Sequence, residues 1–264
     1  MFRKLTEEDF AVLRGPFESE RQSPTLMGAA LFLSIFLQGL LWYLEYHFMD
    51  YTTYPNAKEI VTYHFWFTAV LIVLSLIYSV PAVFNRSQKI QYLIVILVSQ
   101  NFGAVSEYIL GVFLLAEGYY ERPEVMLNTF TNVTLFFGAL IFIVTFVRFY
   151  LLLAKGEFRK GSKRDFFRGD LEAGIKSNLS SIIVGSTGLV FIIQFLARNV
   201  QEIDLDLIMS VVLPILLFFT MMFVLPEQLV ILFCKYRFKS FNYDKNGYLL
   251  SKELDAEGKL NHGN

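Results

Sequence analysis

Long apolar runs alternate with shorter polar segments along this 264-residue chain. Six of the runs have about 20 residues or more, the length that an α-helix needs to cross the ~30 Å hydrocarbon core of a bilayer. In lipid, only a helix of this kind satisfies its own backbone polar groups, so each run is predicted to be helical. The predicted spans cover residues 26–46, 60–80, 90–116, 128–154, 179–197 and 207–233.

The pattern therefore predicts an all-α fold, a polytopic transmembrane helix bundle of about six spans. Residues 26–234 form the predicted transmembrane domain, residues 1–25 an N-terminal segment and residues 235–264 a C-terminal tail. The first apolar run is too long for a cleaved signal peptide and further spans follow it, so we interpret it as an uncleaved signal-anchor.

The distribution of charge predicts which side of the membrane each segment occupies. The N-terminal segment, the second and fourth loops and the tail hold 19 of the 23 Lys and Arg residues. Because cytoplasmic segments of membrane proteins are enriched in these residues, both termini are predicted to be cytoplasmic and the protein is placed in the plasma membrane. The net charge is only −1, so no global field attracts nucleic acid.

Both terminal segments carry local signals. Thr6 followed by acidic residues predicts the start of a short helix on the membrane surface or in solvent. Lys235, Arg237 and Lys239 alternate with aromatic residues, a composition that suits anionic lipids of the inner leaflet. The partners expected are therefore the bilayer and its anionic lipids, with a protein partner or a second copy also compatible with the sequence.

Polar residues inside the predicted spans form a first candidate site. Glu107 lies in span 3, where Gln100, Gly103, Glu107 and Gly111 fall on one face at helical spacing. Such a face handles protons or cations, or it forms a polar contact between packed helices. The topology places further groups near the same predicted outer end, and the candidate site is Glu45, His47, His64, Gln100 and Glu107. No paired histidine motif accompanies them, so no metal site is predicted.

A second candidate is an ion pair near the predicted inner ends of spans 4 and 6. Arg148 and Glu227 reach similar depth there, and pairing would offset the desolvation of both charges. In the alternative, Arg148 extends to the inner headgroups.

The tail contains a pattern similar to a calcium loop. The spacing of an EF-hand is matched by Asn242, Asp244, Asn246, Gly247, Leu249 and Glu253. Only two of these ligands are charged and no partner hand exists. The alternative is a turn that joins two short strands, and we favour it, so no cofactor is predicted.

In size, span count and basic tail, the chain resembles six-span integral membrane proteins of bacteria. Some of these are accessory to secretion systems, and some are immunity proteins that protect their host against a secreted toxin. Helix-packing signals without a catalytic set of residues favour, as our main hypothesis, a non-enzymatic protein of this accessory or immunity type that acts through helix or loop contacts. The residues leave two alternatives open, a small cation- or proton-coupled transporter or channel using Glu107 and the outer polar cluster, and an intramembrane enzyme.

Overall fold

The computed structural model describes residues 5–116, 124–167, 211–244 and 247–250, and these residues fold as a helix bundle. Five of their helices are long and apolar enough to cross a membrane, as expected of a multi-pass membrane protein. They are α1 (Pro24–Met49), α2 (Ala57–Tyr78), α3 (Gln88–Leu115), α4 (Glu124–Ala154) and α5 (Leu213–Arg237). The all-α prediction is confirmed for the described residues, while the predicted span over residues 179–197 lies outside them.

Short helices connect or flank the long ones. They cover Glu7–Arg14, Gly15–Glu18, Pro81–Phe84 and Lys239–Phe241. Proline lies in the first turn of two of them and is the first residue of α1, where its fixed φ suits the helix and its missing N–H is not needed. At α1 the N-cap Ser23 also accepts a hydrogen bond from the Leu26 backbone N–H at 3.3 Å.

α3 is a composite helix at the centre of the described bundle. It consists of α-helical Gln88–Gln100, a π-helical segment Asn101–Ser106, and α-helical Glu107–Leu115. The π segment inserts extra backbone into the turn, so residues before and after it do not keep the regular α-helical register. The prediction that Gln100 and Glu107 share one face assumed an uninterrupted α-helix, and α3 does not meet that assumption.

α4 and α5 pack closely where Gly138 faces Phe218. A Cβ atom added at Gly138 would lie 2.5 Å from the Phe218 ring, so the glycine permits this approach. Phe218 in turn packs on Tyr108 of α3, with ring centroids 4.9 Å apart. Small residues of this kind allow transmembrane helices to approach each other.

The N-terminal segment packs into one end of the bundle. Its helix begins after Thr6, whose backbone N–H and hydroxyl donate to Oδ2 of Asp9 at 2.8 and 3.0 Å. Phe10 and Leu13 are fully buried, so the expectation of a helix on the membrane surface or in solvent is wrong. They join one apolar core with residues of the N-terminal segment, α3, α4, the loop after α4, α5 and the tail: Phe17, Tyr92, Phe149, Leu153, Phe158, Val230, Cys234, Phe241 and Tyr243.

Lys235, at the end of α5, is buried in the same region. Its Nζ donates to the Phe241 carbonyl oxygen at 2.8 Å and lies 4.6 Å from the centre of the Phe17 ring. The ring faces and the carbonyl replace part of the hydration of the ammonium group. The sequence had grouped Lys235 with the basic residues of the tail that face lipid, and the burial of Lys235 removes it from that group. Arg237 and Lys239 are exposed.

Candidate functional site: a buried polar network across three helices

A carboxylate, an imidazole and an amide meet between α1, α2 and α3. Nδ1 of His64 lies 2.6 Å from Oε2 of Glu45, and Nε2 of His64 lies 2.9 Å from Oδ1 of Asn101. Glu45 is fully buried, and His64 and Asn101 are 5% and 1% exposed. Both ring nitrogens thus have an oxygen partner inside an apolar bundle.

The network continues from Asn101 towards the middle of α1. Nδ2 of Asn101 donates to Oγ1 of Thr68 at 3.1 Å and to Oε1 of Gln38 at 3.4 Å. Gln38 in turn donates to the Ser34 carbonyl oxygen at 3.3 Å. Thr68 and Gln38 are also buried, so a chain of polar groups connects three helices without contact with solvent or lipid.

Helical spacing explains why these side chains converge. Ser34, Gln38 and Glu45 follow i, i+4 and i+11 spacing and lie on one face of α1, and His64 and Thr68 are one turn apart on α2. Asn101 is the first residue of the π segment in α3. π segments inside α-helices are often found at functional sites.

The second carboxylate oxygen of Glu45 accepts no hydrogen bond from a described residue. This atom, Oε1, is buried. Glu107 is half-buried on α3 and lies within electrostatic reach of Glu45. Glu45 therefore contacts the His64 ring directly, and Glu107 is a second carboxyl group near Glu45.

The remaining members of the predicted polar site lie elsewhere. His47 is exposed, and its ring contacts those of Phe48 and Tyr51. Gln100 faces α5 and donates to Oε1 of Gln228 at 3.2 Å. Of the five predicted residues, the structure joins Glu45 and His64 directly and places Glu107 nearby.

Sequence reasoning missed Gln38 and Thr68 and assigned no role to Asn101. Gln38 and Glu45 are two turns apart in an otherwise apolar run, a spacing that could have indicated a shared buried face. Nothing in the sequence indicates the π segment, which decides where Asn101 lies.

The second candidate pair, Arg148 and Glu227, lines one groove of about 200 Å³ between α4 and α5. Arg148 is exposed and Glu227 is half-buried. Because both residues line this groove, their positions agree with the similar depth predicted for them. Their pairing stays a prediction.

The calcium-loop pattern lies partly outside the described residues, which exclude Asn246 and Glu253. Nδ2 of Asn242 donates to the carbonyl oxygens of Lys235 and Phe238 at 2.9 and 3.1 Å, so this side chain caps the end of α5. Tyr243 and Leu249 form an isolated antiparallel bridge. Among the described residues, no group of three or more His, Cys, Asp or Glu side chains is arranged to hold a metal ion.

Comparison with known proteins adds no relative. No protein family, no curated protein and no solved structure matches this chain.

Proposed function

We propose that this protein is a small proton-coupled membrane transporter or channel, and that the network around Glu45 and His64 is its proton-handling site. The observation that carries the proposal is a fully buried carboxylate–imidazole pair between apolar helices. Ionisable side chains are costly to bury at such positions, and in membrane proteins they commonly mark ion and proton pathways.

The contact distance favours a proton over a metal ion. Nδ1 of His64 and Oε2 of Glu45 are 2.6 Å apart, which suits a proton shared in a charge-assisted hydrogen bond. A metal ion bound by both atoms would need about 2 Å to each of them, and in tetrahedral geometry this would hold them well over 3 Å apart.

The network has two hydrogen-bond arrangements that depend on the charge of His64. A doubly protonated ring donates to Glu45 from Nδ1 and to Oδ1 of Asn101 from Nε2. When Nε2 loses its proton it becomes an acceptor, and the Asn101 amide satisfies it by turning Nδ2 towards the ring. Oδ1 of Asn101 then faces Thr68, whose hydroxyl can donate to it. The charge of the ring is thereby coupled to a side chain in the middle of α3.

Glu45 and Glu107 supply the route to the ring in this proposal. A proton from the predicted outer side is handled by Glu107 and by Oε1 of Glu45, which has no hydrogen-bond partner among the described residues, and it then reaches His64. For release inward, the Asn101 amide turns away from Nε2 so that a water takes the proton there, and Nδ2 then donates to the deprotonated nitrogen. The ring must turn over, presenting its unprotonated nitrogen to Glu45, before it accepts the next proton. Each side chain along this route can donate or accept a proton or a hydrogen bond, and each lies on α1, α2 or α3.

Flux measurements test the proposal. The purified chain is reconstituted in liposomes that contain a pH-sensitive dye, and a potassium diffusion potential drives protons. We expect the parent to carry a flux that Glu45→Gln and His64→Gln abolish and that Glu107→Gln reduces. His47→Gln is the matched control, because it removes a histidine of α1 that is exposed and outside the network.

Two results would contradict this function. One is a parent flux no greater than that of empty liposomes. The other is an unchanged flux in both Glu45→Gln and His64→Gln when those variants elute and unfold like the parent. Either result would leave the network as a polar contact that holds α1, α2 and α3 together.

A second candidate is a non-enzymatic membrane protein of the accessory or immunity type, acting through helix contacts. Its possible contact surface is α4, whose large apolar side chains are exposed among the described residues, including Phe136 at 65% and Val144 at 57%, and so can face either lipid or a neighbouring helix. Native mass spectrometry of the detergent-solubilised parent decides between the two. A stoichiometric complex of the chain with a second copy or with another protein, together with the absence of a proton flux, supports this candidate over the transporter.

A further inference from the structure

A basic groove lies between the start of α3 and the end of α5. It has a volume of about 380 Å³, and its lining includes Arg86, Ser87, Lys89, Ile90 and Tyr236. These residues are distant in sequence from the proton-handling network and take no part in it. We name this feature the α3–α5 groove.

Positive charge dominates the α3–α5 groove. Arg86 and Lys89 line it, and its described lining contains no carboxylate. Nζ of Lys89 lies 5.3 Å from the centre of the Tyr236 ring, and it is within electrostatic reach of the buried Lys235. Arg86 is exposed and forms no ion pair with a described residue. Arg86 and Lys89 thus create a local excess of positive charge in the groove.

The same groove has an apolar rim where two of the long apolar helices end. Ile90 and Tyr236 are 43% and 55% exposed there. They lie at one end of α3 and one end of α5, both of which are long and apolar enough to cross a membrane. The ends of spanning helices lie where headgroups meet the hydrocarbon, and tyrosine is typical of that zone.

We propose that the α3–α5 groove binds an anionic phospholipid. Arg86 can donate two parallel hydrogen bonds to the lipid phosphate, and Lys89 supplies a second charge. The positive end of α3 faces the same region and adds to the attraction for an anion. Ile90 and Tyr236 contact the glycerol backbone and the first part of an acyl chain. A free phosphate would use the cations but not this apolar rim, so the combination favours a lipid. The site is independent of the proposed proton pathway.

Thermal unfolding of the full chain in an uncharged detergent tests this site. Phosphatidylglycerol is added in one arm, phosphatidylcholine in the second and inorganic phosphate in the third. The groove variant carries Arg86→Gln and Lys89→Gln. The matched control carries Lys155→Gln and Lys163→Gln, which remove the same charge from exposed positions on the predicted same side of the membrane.

We expect phosphatidylglycerol to raise the Tm of the parent and the control by roughly 5 °C, because a ligand that binds only the folded state stabilises it. The shift should fall below half of that value in the groove variant. Phosphatidylcholine and inorganic phosphate should give no comparable shift. An equal shift in the groove variant and the parent would refute the site. An equal shift with phosphate or with phosphatidylcholine would refute an anionic lipid as its ligand.

A second measurement keeps the proposal testable if the double variant is unstable. Arg86→Gln alone changes an exposed side chain, so it should leave the fold intact. Electron paramagnetic resonance then measures how much spin-labelled phosphatidylglycerol is immobilised at the protein surface in vesicles. The immobilised fraction should fall for Arg86→Gln relative to Lys155→Gln, and equal fractions in the two variants would overturn the proposal.

Discussion

Asp9 and Arg159 form an ion pair that attaches the N-terminal segment to the loop after α4. Nε and Nη2 of Arg159 each lie 2.8 Å from Oδ1 of Asp9, and nearby the Val12 backbone N–H donates to the Phe158 carbonyl oxygen at 2.9 Å. Burial alone would raise the pKa of Asp9, but hydrogen bonds from Thr6 and Arg159 outweigh it and hold that pKa below its ordinary value. Three segments that charge distribution predicts to be cytoplasmic, the N-terminal segment, the loop after α4 and the tail, thus pack together at one end of the bundle.

The lowered pKa of Asp9 predicts a pH-dependent contribution to stability. A carboxyl group with a lower pKa in the folded state stabilises the protein above its unfolded-state pKa, and this contribution is lost as pH falls through the folded-state pKa. We expect Asp9→Asn to lower the free energy of unfolding by about 1 kcal/mol at pH 7, since Asp9 also caps a helix. The difference from the parent should shrink between pH 5 and pH 3.

Differential scanning calorimetry at several pH values measures this effect. Glu8→Gln is the control, because Glu8 is the exposed neighbour of Asp9 in the same helix. The ion pair would not contribute if the Asp9→Asn and Glu8→Gln variants showed the same pH dependence.

Burial of Lys235 predicts that its amine is protected from chemical labelling. Lys235 is fully buried, whereas Lys239, four residues later, is exposed. An amine-reactive ester applied to the folded protein in detergent should modify Lys239 and leave Lys235 unmodified, and denaturation should expose both. Peptide mass spectrometry reports the two sites from one sample. Equal labelling of both in the folded protein would show that the end of α5 does not pack as described.

Packing at Gly138 predicts that even one added methyl group disturbs the contact between α4 and α5. The new Cβ would lie 2.5 Å from the Phe218 ring, and relief requires movement of a ring that also packs on Tyr108. We expect Gly138→Ala to destabilise the protein by about 1–3 kcal/mol.

Gly39→Ala is the control for this substitution. Nothing lies within 4 Å of a Cβ added at Gly39, and alanine favours a helix by up to about 1 kcal/mol over glycine. The Tm should therefore fall for Gly138→Ala and rise for Gly39→Ala, relative to the parent. A Tm for Gly138→Ala at or above that of Gly39→Ala would contradict the close approach.

The charge asymmetry predicts which loops are accessible from outside the cell. Cys234 is the single cysteine and is buried, so introduced cysteines can be labelled selectively. A membrane-impermeant maleimide should label Lys58→Cys in intact cells and Lys163→Cys only after lysis, because the basic fourth loop is retained in the cytoplasm. Both positions are exposed in the structure, and the reverse labelling pattern would invert the topology.

The sequence by itself determined the helical class and the positions of the described spans. The hydropathy of residues 26–46 predicts a span, and in the structure α1 covers Pro24–Met49. The bounds of the other described spans agree with their predicted bounds to within several residues. This is possible because span length and apolar composition are set by the thickness of the bilayer, a constraint that acts on each segment separately. The orientation of the bundle across the membrane is inferred from the charges of the separate loops and stays a prediction.

Only the tertiary structure decided which polar residues meet. Glu45 and His64 were predicted members of one cluster, but Asn101 enters it through a π segment and His47 leaves it because its ring points to the surface. The same holds for Lys235, whose charge and tail position indicate lipid contact although it is fully buried. Helical spacing fixes which residues share a face, but the rotation of each helix against its neighbours decides where that face points, and this rotation depends on the packing of the whole bundle.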